Sequence, residues 1–272
     1  MFNDKLIAFI GGGAMGSAII RGMIANMLVD PNQIVVSDTA LGLKERLNDE
    51  LGVQVAPDNL TAVKNADVVV LAIKPQGLPY LLPELNGRLA ADSLVISIIA
   101  GAPIATFQAG LGHNAIVRSM PNTPAQVGEG MTVWTQTEAV SDEQAQQAQA
   151  IFGAYGAELK VEQEKYLDMS TAINGSGPAY VFLFLEAMID AGVHMGLPRP
   201  IAEKLVNQTV FGSTKYAIES DKHLAQLKNQ VTSPGGTTAA GLFELEAGKL
   251  RHTVANGVWA AYKRSVELGK KG

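Results

Sequence analysis

Along the first half of the chain, short β-branched apolar runs recur: LIAFI, IVVSD, VQVA, DVVVLAI, SLVISII and AIVRSM. Amphipathic segments such as SAIIRGMIANML and LGLKERLNDEL lie between them. Strands apolar on both faces need cover on both faces, so the alternation predicts βαβ units around a parallel sheet. TVWTQ and AELKV read as two further strands. The helix between them, SDEQAQQAQAIFGAYG, opens with Ser and Gln at capping-box spacing. From about Lys165 the period changes, and PAYVFLFLEAMIDAGVHMG, RPIAEKLVNQTVFGSTKYAI, TTAAGLFELEAG and LRHTVANGVWAAYKRSVEL all read as helices. The expected organisation is a doubly wound α/β domain over residues 1–164 and an all-α domain over 165–272. The helix from Pro178 to Val193 is apolar almost all the way round, more than a domain of about a hundred residues encloses by itself. It is either the central helix of a compact bundle or, the reading favoured, a helix that packs against the same helices of a second copy as a homodimer.

Composition narrows the function. With 272 residues, 47% of them hydrophobic and 17% charged, the chain has the balance of a globular protein. A net charge of −5 with Lys and Arg scattered argues against nucleic acid as a partner. There is no cysteine, and the four histidines show no ligand spacing, so no metal site is expected. The N-terminus lacks a basic region and a small-residue cleavage pattern. The longest apolar stretch, Ala179 to Val193, carries Glu186 and Asp190 and falls short of the ~20 residues of a membrane span. The expectation is a soluble, cytoplasmic protein without a membrane partner.

Two glycine clusters carry the chemistry. Gly11-Gly12-Gly13-Ala14-Met15-Gly16 is a G-x-G-x-x-G directly after a strand and directly before a helix, the context in which it binds the pyrophosphate of a dinucleotide. The α/β half therefore reads as Rossmann-like. Asp38 ends the second strand, where an acidic residue accepts from the adenosine ribose hydroxyls and repels a 2′-phosphate. That leans towards NADH, although Ser37 and Thr39 offer donors and Lys44 is near in sequence. Lys74 and Ala100 follow strands, at the edge where parallel sheets bind ligands. The second cluster, VTSPGGTTAAGLFELE, opens a helix, with Ser233 and Pro234 reading as N-cap and first helical residue. Gly235 and Gly236 cost helix stability but leave backbone N–H groups open to an anion.

The blocks FIGGGAMGSAI, LAIKPQ, VRSMPNTPAQVGEGMT, NGSGPAYVFLFLEAMIDAGVHMGLPR and LKNQVTSPGGTTAAGLFELE run nearly end to end, and in them the chain resembles the pyrroline-5-carboxylate reductases. The resemblance implies a Rossmann domain, a helical dimerisation domain, often a ring of five dimers, and NADPH- or NADH-dependent reduction of L-1-pyrroline-5-carboxylate to L-proline. It assigns Gly11, Gly12, Gly13, Ala14 and Met15 to the pyrophosphate, Asp38 to the adenosine ribose with Ser37 beside it among the cofactor-binding residues, and Asn59 to a position near the adenosine. Ala72, Ile73, Lys74 and Ala100 then line the cofactor, and Pro121 and Asn122 lie beside the nicotinamide. Glu164, Ser233, Gly235, Gly236, Thr237 and Thr238 form the substrate pocket. Backbone N–H groups of the second glycine loop would hold the substrate carboxylate, and the catalytic Thr238 would hydrogen-bond the ring nitrogen. Asn229 and Gln230 stand where many members carry Asp and Asn. A β-hydroxyacid dehydrogenase shares the layout but places a catalytic lysine after its Gly-rich turn, and NGSGPAYVFLFLEAM contains none.

Overall fold

The computed structural model describes residues 1–269, the side chain of Leu41 excepted. Each apolar run forms a strand: β1 (Ile7–Ile10), β2 (Ile34–Ser37), β3 (Gln54–Val55), β4 (Val68–Leu71), β5 (Leu94–Ser97), β6 (Ile116–Met120), β7 (Gly130–Gln136) and β8 (Gly156–Lys160). They build one sheet in the order β3-β2-β1-β4-β5-β6-β7-β8. All neighbours are parallel except β6 and β7. The order turns back between β1 and β4, and the crevice outside the carboxyl ends at such a switch point is where open α/β sheets bind ligands.

Alternate residues of each central strand enter separate cores. Ile7, Phe9, Val68, Val70, Leu94 and Ile96 face one, whereas Ala8, Ile10, Val69, Leu71 and Val95 face the other. Of the helices α1 (Ala14–Ala25), α2 (Leu41–Leu51), α3 (Asn59–Val63), α4 (Leu78–Leu85), α5 (Ile104–Leu111) and α6 (Asp142–Gly153), α1 and α6 contribute to the first core and α3, α4 and α5 to the second. The expected capping box at α6 is present, with Ser141 and Gln144 each accepting the other's main-chain N–H at 3.3 and 3.0 Å.

The described residues form two compact units, one of residues 1–176 together with 261–269, the other Gly177–Ala260. Strands end before the boundary expected at Glu164 and Lys165, but the first unit runs on to Ser176. The reason is local: α7 (Lys165–Ser170) and a π-helical turn, Thr171–Gly175, bury Leu167 and Ala172. Asn174 Nδ2 then donates to the Met120 and Met131 carbonyls, both at 3.0 Å.

The second unit holds α8 (Gly177–His194), α9 (Arg199–Glu219), α10 (Leu224–Gln230), α11 (Thr237–Ala247) and the first turns of α12 (Leu250–Gly269). α8 packs on α9 where a Cβ on Gly192 would stand 3.2 Å from that of Ala202. Among residues 177–260 only Gly192, Ala202 and Val206 are buried. Contrary to the sequence expectation, the helical run Lys165–His194 spans 30 residues and is long and apolar enough to cross a membrane by length and composition. Its first turns belong to the sheet-bearing unit, where Asp168 is ion-paired with Arg118 at 3.0 Å.

Candidate active site

In the sheet-bearing unit, the residues assigned to the cofactor follow the carboxyl ends of consecutive parallel strands. Gly11–Met15 follow β1, Ser37 and Asp38 close β2, Ala72–Lys74 follow β4, Ala100 follows β5, and Pro121 and Asn122 follow β6. Gly11 has φ +104°, and a Cβ there would stand 2.6 Å from the Ala72 carbonyl oxygen, so only glycine lets the loop pass beneath the β4 edge. Gly11 N–H donates to the Ser37 carbonyl at 2.8 Å, and Ala72 N–H donates to Ile10 at 2.8 Å. Around Gly13, the N-cap of α1, a Cβ would meet nothing within 4 Å. No side chain caps α1 and its first turn carries no acidic residue. Free N–H groups at the positive end of a helix dipole, with open space beside them, fit a pyrophosphate.

Asp38 is fixed by both oxygens: Oδ2 accepts from Gly12 N–H and Oδ1 from Ala40 N–H, each at 2.8 Å. Its charge is therefore held at the end of β2, with lone pairs remaining for ribose hydroxyls. Ser37 Oγ donates to Asn59 Oδ1 at 2.8 Å, and Asn59 Nδ2 donates to Glu84 at 2.9 Å. Lys44 is only 4% exposed, with Nζ donating to the Ala56 carbonyl at 3.0 Å. The surface cation near Asp38 suggested by sequence proximity is thus drawn into the protein by main-chain acceptors. Lys74 is exposed beside the β4 edge. Asn122 turns inward, Oδ1 accepting from Met131 N–H at 2.8 Å, which shapes the loop between β6 and β7.

Glu164 also lies in this unit, whereas the other residues assigned to the substrate belong to the helical one. Its Oε1 accepts from Arg118 Nη1 and from Ile104 N–H, both at 2.7 Å. Arg118 Nη2 reaches Asp168 Oδ1 at 3.0 Å, and that oxygen also accepts from Ser265 Oγ at 3.2 Å. Sequence reading overlooked Arg118 and Asp168, because their partners are 46 and 50 residues away.

In the helical unit, Ser233, Gly235, Gly236, Thr237 and Thr238 form the second glycine loop. The helix start read at Ser233-Pro234 is corrected: Gly236 is the N-cap and α11 begins at Thr237. Gly235, at φ +69°, occupies the left-handed region and cannot belong to the helix. Gly236 N–H donates to the Ser233 carbonyl at 3.1 Å, folding the segment into a tight turn. No side chain caps α11. Its first N–H groups and Thr238 therefore stand at a helix start suited to a carboxylate. Asn229 and Gln230 line a neighbouring surface depression with Lys222 and Gln226.

The histidines have other work. His113 is buried, with Nε2 2.7 Å from the Ser93 carbonyl. His223 caps α10 by accepting from Ala225 N–H at 3.1 Å. Among the described residues no group of three or more His, Asp or Glu could hold a metal ion.

A mostly parallel sheet with this strand order, an open glycine loop at its carboxyl edge and an acidic residue closing the second strand define a nicotinamide-dependent oxidoreductase of the Rossmann type. Two family models match, the first described as "NADP oxidoreductase coenzyme F420-dependent" over residues 6–101 and the second as "Pyrroline-5-carboxylate reductase dimerisation" over 164–268. The chain belongs to the pyrroline-5-carboxylate reductase family. It is 45% identical to the pyrroline-5-carboxylate reductase of Synechocystis, covering 97% of this chain and 98% of that one. It is 39% identical to the Escherichia coli enzyme of that name, covering 98% and 99%. Among solved structures, the Coxiella burnetii pyrroline-5-carboxylate reductase matches with TM-score 0.90 at 39% identity, over 97% of this chain and 98% of that one. The Plasmodium falciparum pyrroline carboxylate reductase with NADP bound matches with TM-score 0.90 at 34% identity, over 98% of each chain.

Proposed function

We propose that the chain reduces L-1-pyrroline-5-carboxylate to L-proline in the cytoplasm, the final step of proline biosynthesis, as a homodimer and, at a higher level, as a ring of five dimers. The observation that carries the reading is the second glycine loop, an uncapped helix start with a left-handed glycine before it. A bound nicotinamide nucleotide supplies the hydride. Main-chain N–H groups at the start of α1, from Gly13 to Met15, hold its pyrophosphate, those of Gly11 and Gly12 being taken by the Ser37 carbonyl and Asp38, and Asp38, beside Ser37 and Asn59, accepts from the ribose. Ala72, Ile73, Lys74, Ala100, Pro121 and Asn122 line the remainder.

Substrate binding falls to the loop from Ser233 to Thr238. The uncapped main-chain N–H groups of the first turn of α11, beginning at Thr237, donate to the substrate carboxylate, assisted by the α11 dipole, while the turn closed by the Gly236 N–H presents them. Thr238 Oγ hydrogen-bonds the ring nitrogen. A protonated imine is already electrophilic at carbon, so the chain needs to orient it rather than to supply a strong acid. When hydride adds to that carbon, the C=N π pair passes to nitrogen, leaving the secondary amine of proline. Mixing purified protein with pyrroline-5-carboxylate and NADH or NADPH, with the fall in reduced-cofactor absorbance as readout, tests the reading. No fall with either coenzyme refutes it.

Asp38 favours NADH over NADPH in this reading, because its carboxylate is pinned at the end of β2 by two main-chain N–H groups, and an acidic residue at that end accepts from the ribose and repels a 2′-phosphate. Asp38→Ser should raise the NADPH:NADH ratio of kcat/KM by at least about tenfold, since one fixed like charge is removed. A wild-type preference for NADPH, left unchanged by the substitution, would remove Asp38 from coenzyme choice.

A further inference from the structure

The carboxyl edge of the sheet has a fastening that the expected roles leave out. Arg118 sits in β6, two residues before the segment Met120–Asn122, and is only 4% exposed. Its guanidinium is divided between two carboxylates from the segment that follows β8, Glu164 at 2.7 Å and Asp168 at 3.0 Å. The Glu164 oxygen that meets Arg118 also takes the main-chain N–H of Ile104, the first residue of α5. The N-cap of α5 is Pro103, which has no side-chain acceptor, so a carboxylate 60 residues away caps the helix. Arg118, Glu164 and Asp168 line a cavity of about 270 Å³ together with Gly101 and Pro103.

We propose that Glu164 is a positioning residue for the cofactor rather than a contact of the substrate. Through one oxygen it ties the loop between β5 and α5, which contains Ala100, to the strand that delivers Pro121 and Asn122. Both loops leave the carboxyl edge, where this fold binds its ligand. A carboxylate oxygen offers about two acceptor sites, and Oε1 has filled both with donors from the two loops. Charge-assisted bonds of this length are stiff enough to fix their spacing. The inference rests on reading that edge as the nicotinamide site.

Glu164→Gln keeps an acceptor for Ile104 N–H but gives up the charge opposite Arg118. The expected result is weaker NAD(P)H binding and a kcat lowered about tenfold, as for a small misplacement of reacting groups, with KM for pyrroline-5-carboxylate within about twofold of wild type. Asp168→Asn, which shares Arg118 but not Ile104, should give the same pattern in weaker form. The losses of E164Q and D168N should fall short of adding in the double variant, because both act through one guanidinium. Should Glu164→Gln fail to fold, Asp168→Asn carries the test with the same readouts. An increase in imine KM with cofactor affinity unchanged would overturn the proposal in favour of direct substrate contact. A lower melting temperature with kcat and cofactor affinity both intact would overturn it in favour of a purely structural ion pair. Wild-type protein that binds no NAD(P)H would instead refute the reading of the carboxyl edge, so the two failures are distinguishable.

Discussion

Thr238→Ala should lower kcat/KM for the imine about a hundredfold while leaving the NAD(P)H dissociation constant within about twofold, because it removes the positioned hydroxyl, with its neighbouring methyl, and leaves the main chain in place. The expectation turns on where Thr238 sits. It is the second residue of α11, so the variant keeps the backbone N–H groups assigned to the substrate carboxylate and loses only the side-chain hydroxyl and methyl. Alanine is also the better helix former by a few tenths of a kcal/mol, so a fall in rate cannot be put down to a weaker helix. The neighbouring Thr232 makes a useful comparison, since its hydroxyl is already spent on the Lys228 carbonyl at 2.7 Å. Thr232→Ala should change stability more than turnover. Steady-state kinetics of both variants, with Thr238→Ser as the variant that restores a hydroxyl, checks the assignment. Turnover of Thr238→Ala within a few-fold of wild type would show that the ring nitrogen is held by another group.

What the sequence made legible follows from the range of each interaction. The strands were visible because β-branched runs bounded by turns report burial locally, and the G-x-G-x-x-G could be placed because a strand and a helix flank it. The two cores were implicit in the same runs, since neighbours such as Phe9 and Ile10 must face opposite ways. The antiparallel pairing of β7 with β6 and the burial of Lys44 against the Ala56 carbonyl leave no mark on local periodicity. Neither does the Arg118 cluster, whose members look like ordinary surface charges until the sheet brings them together. The segment KYLDMSTAING hid α7 and the π turn because its attachment depends on two carbonyls, of Met120 and Met131, far back in the chain. At the second glycine loop the composition was informative but the start was misjudged: Ser-Pro fits a helix N-terminus, while Gly235 in the left-handed region moves that start to Thr237.

Phe182→Glu should abolish the dimer, and with it most of the stability of the helical unit. α8 exposes Val181 at 47%, Phe182 at 61%, Leu183 at 67% and Phe184 at 43%, four consecutive residues that cannot all lie on one stripe of a helix. Phe211, Phe243 and Trp259 are also exposed in this unit. With only three buried residues between 177 and 260, the unit has almost no core of its own. Each Phe or Leu covered by a partner is worth about 1.5–3 kcal/mol, so the second copy supplies the burial that the single chain lacks. A carboxylate in the middle of that face must be desolvated without a counter-charge, which costs several kcal/mol. Light scattering should give a dimer or larger for wild type, with a melting temperature that rises with protein concentration. For Phe182→Glu it should give monomer that melts early or aggregates. Tyr80→Glu, at a residue 82% exposed on α4, is the matched control and should stay dimeric. A wild-type chain that remains a folded monomer at micromolar concentration would mean that the apolar surface of α8 is not the dimer interface.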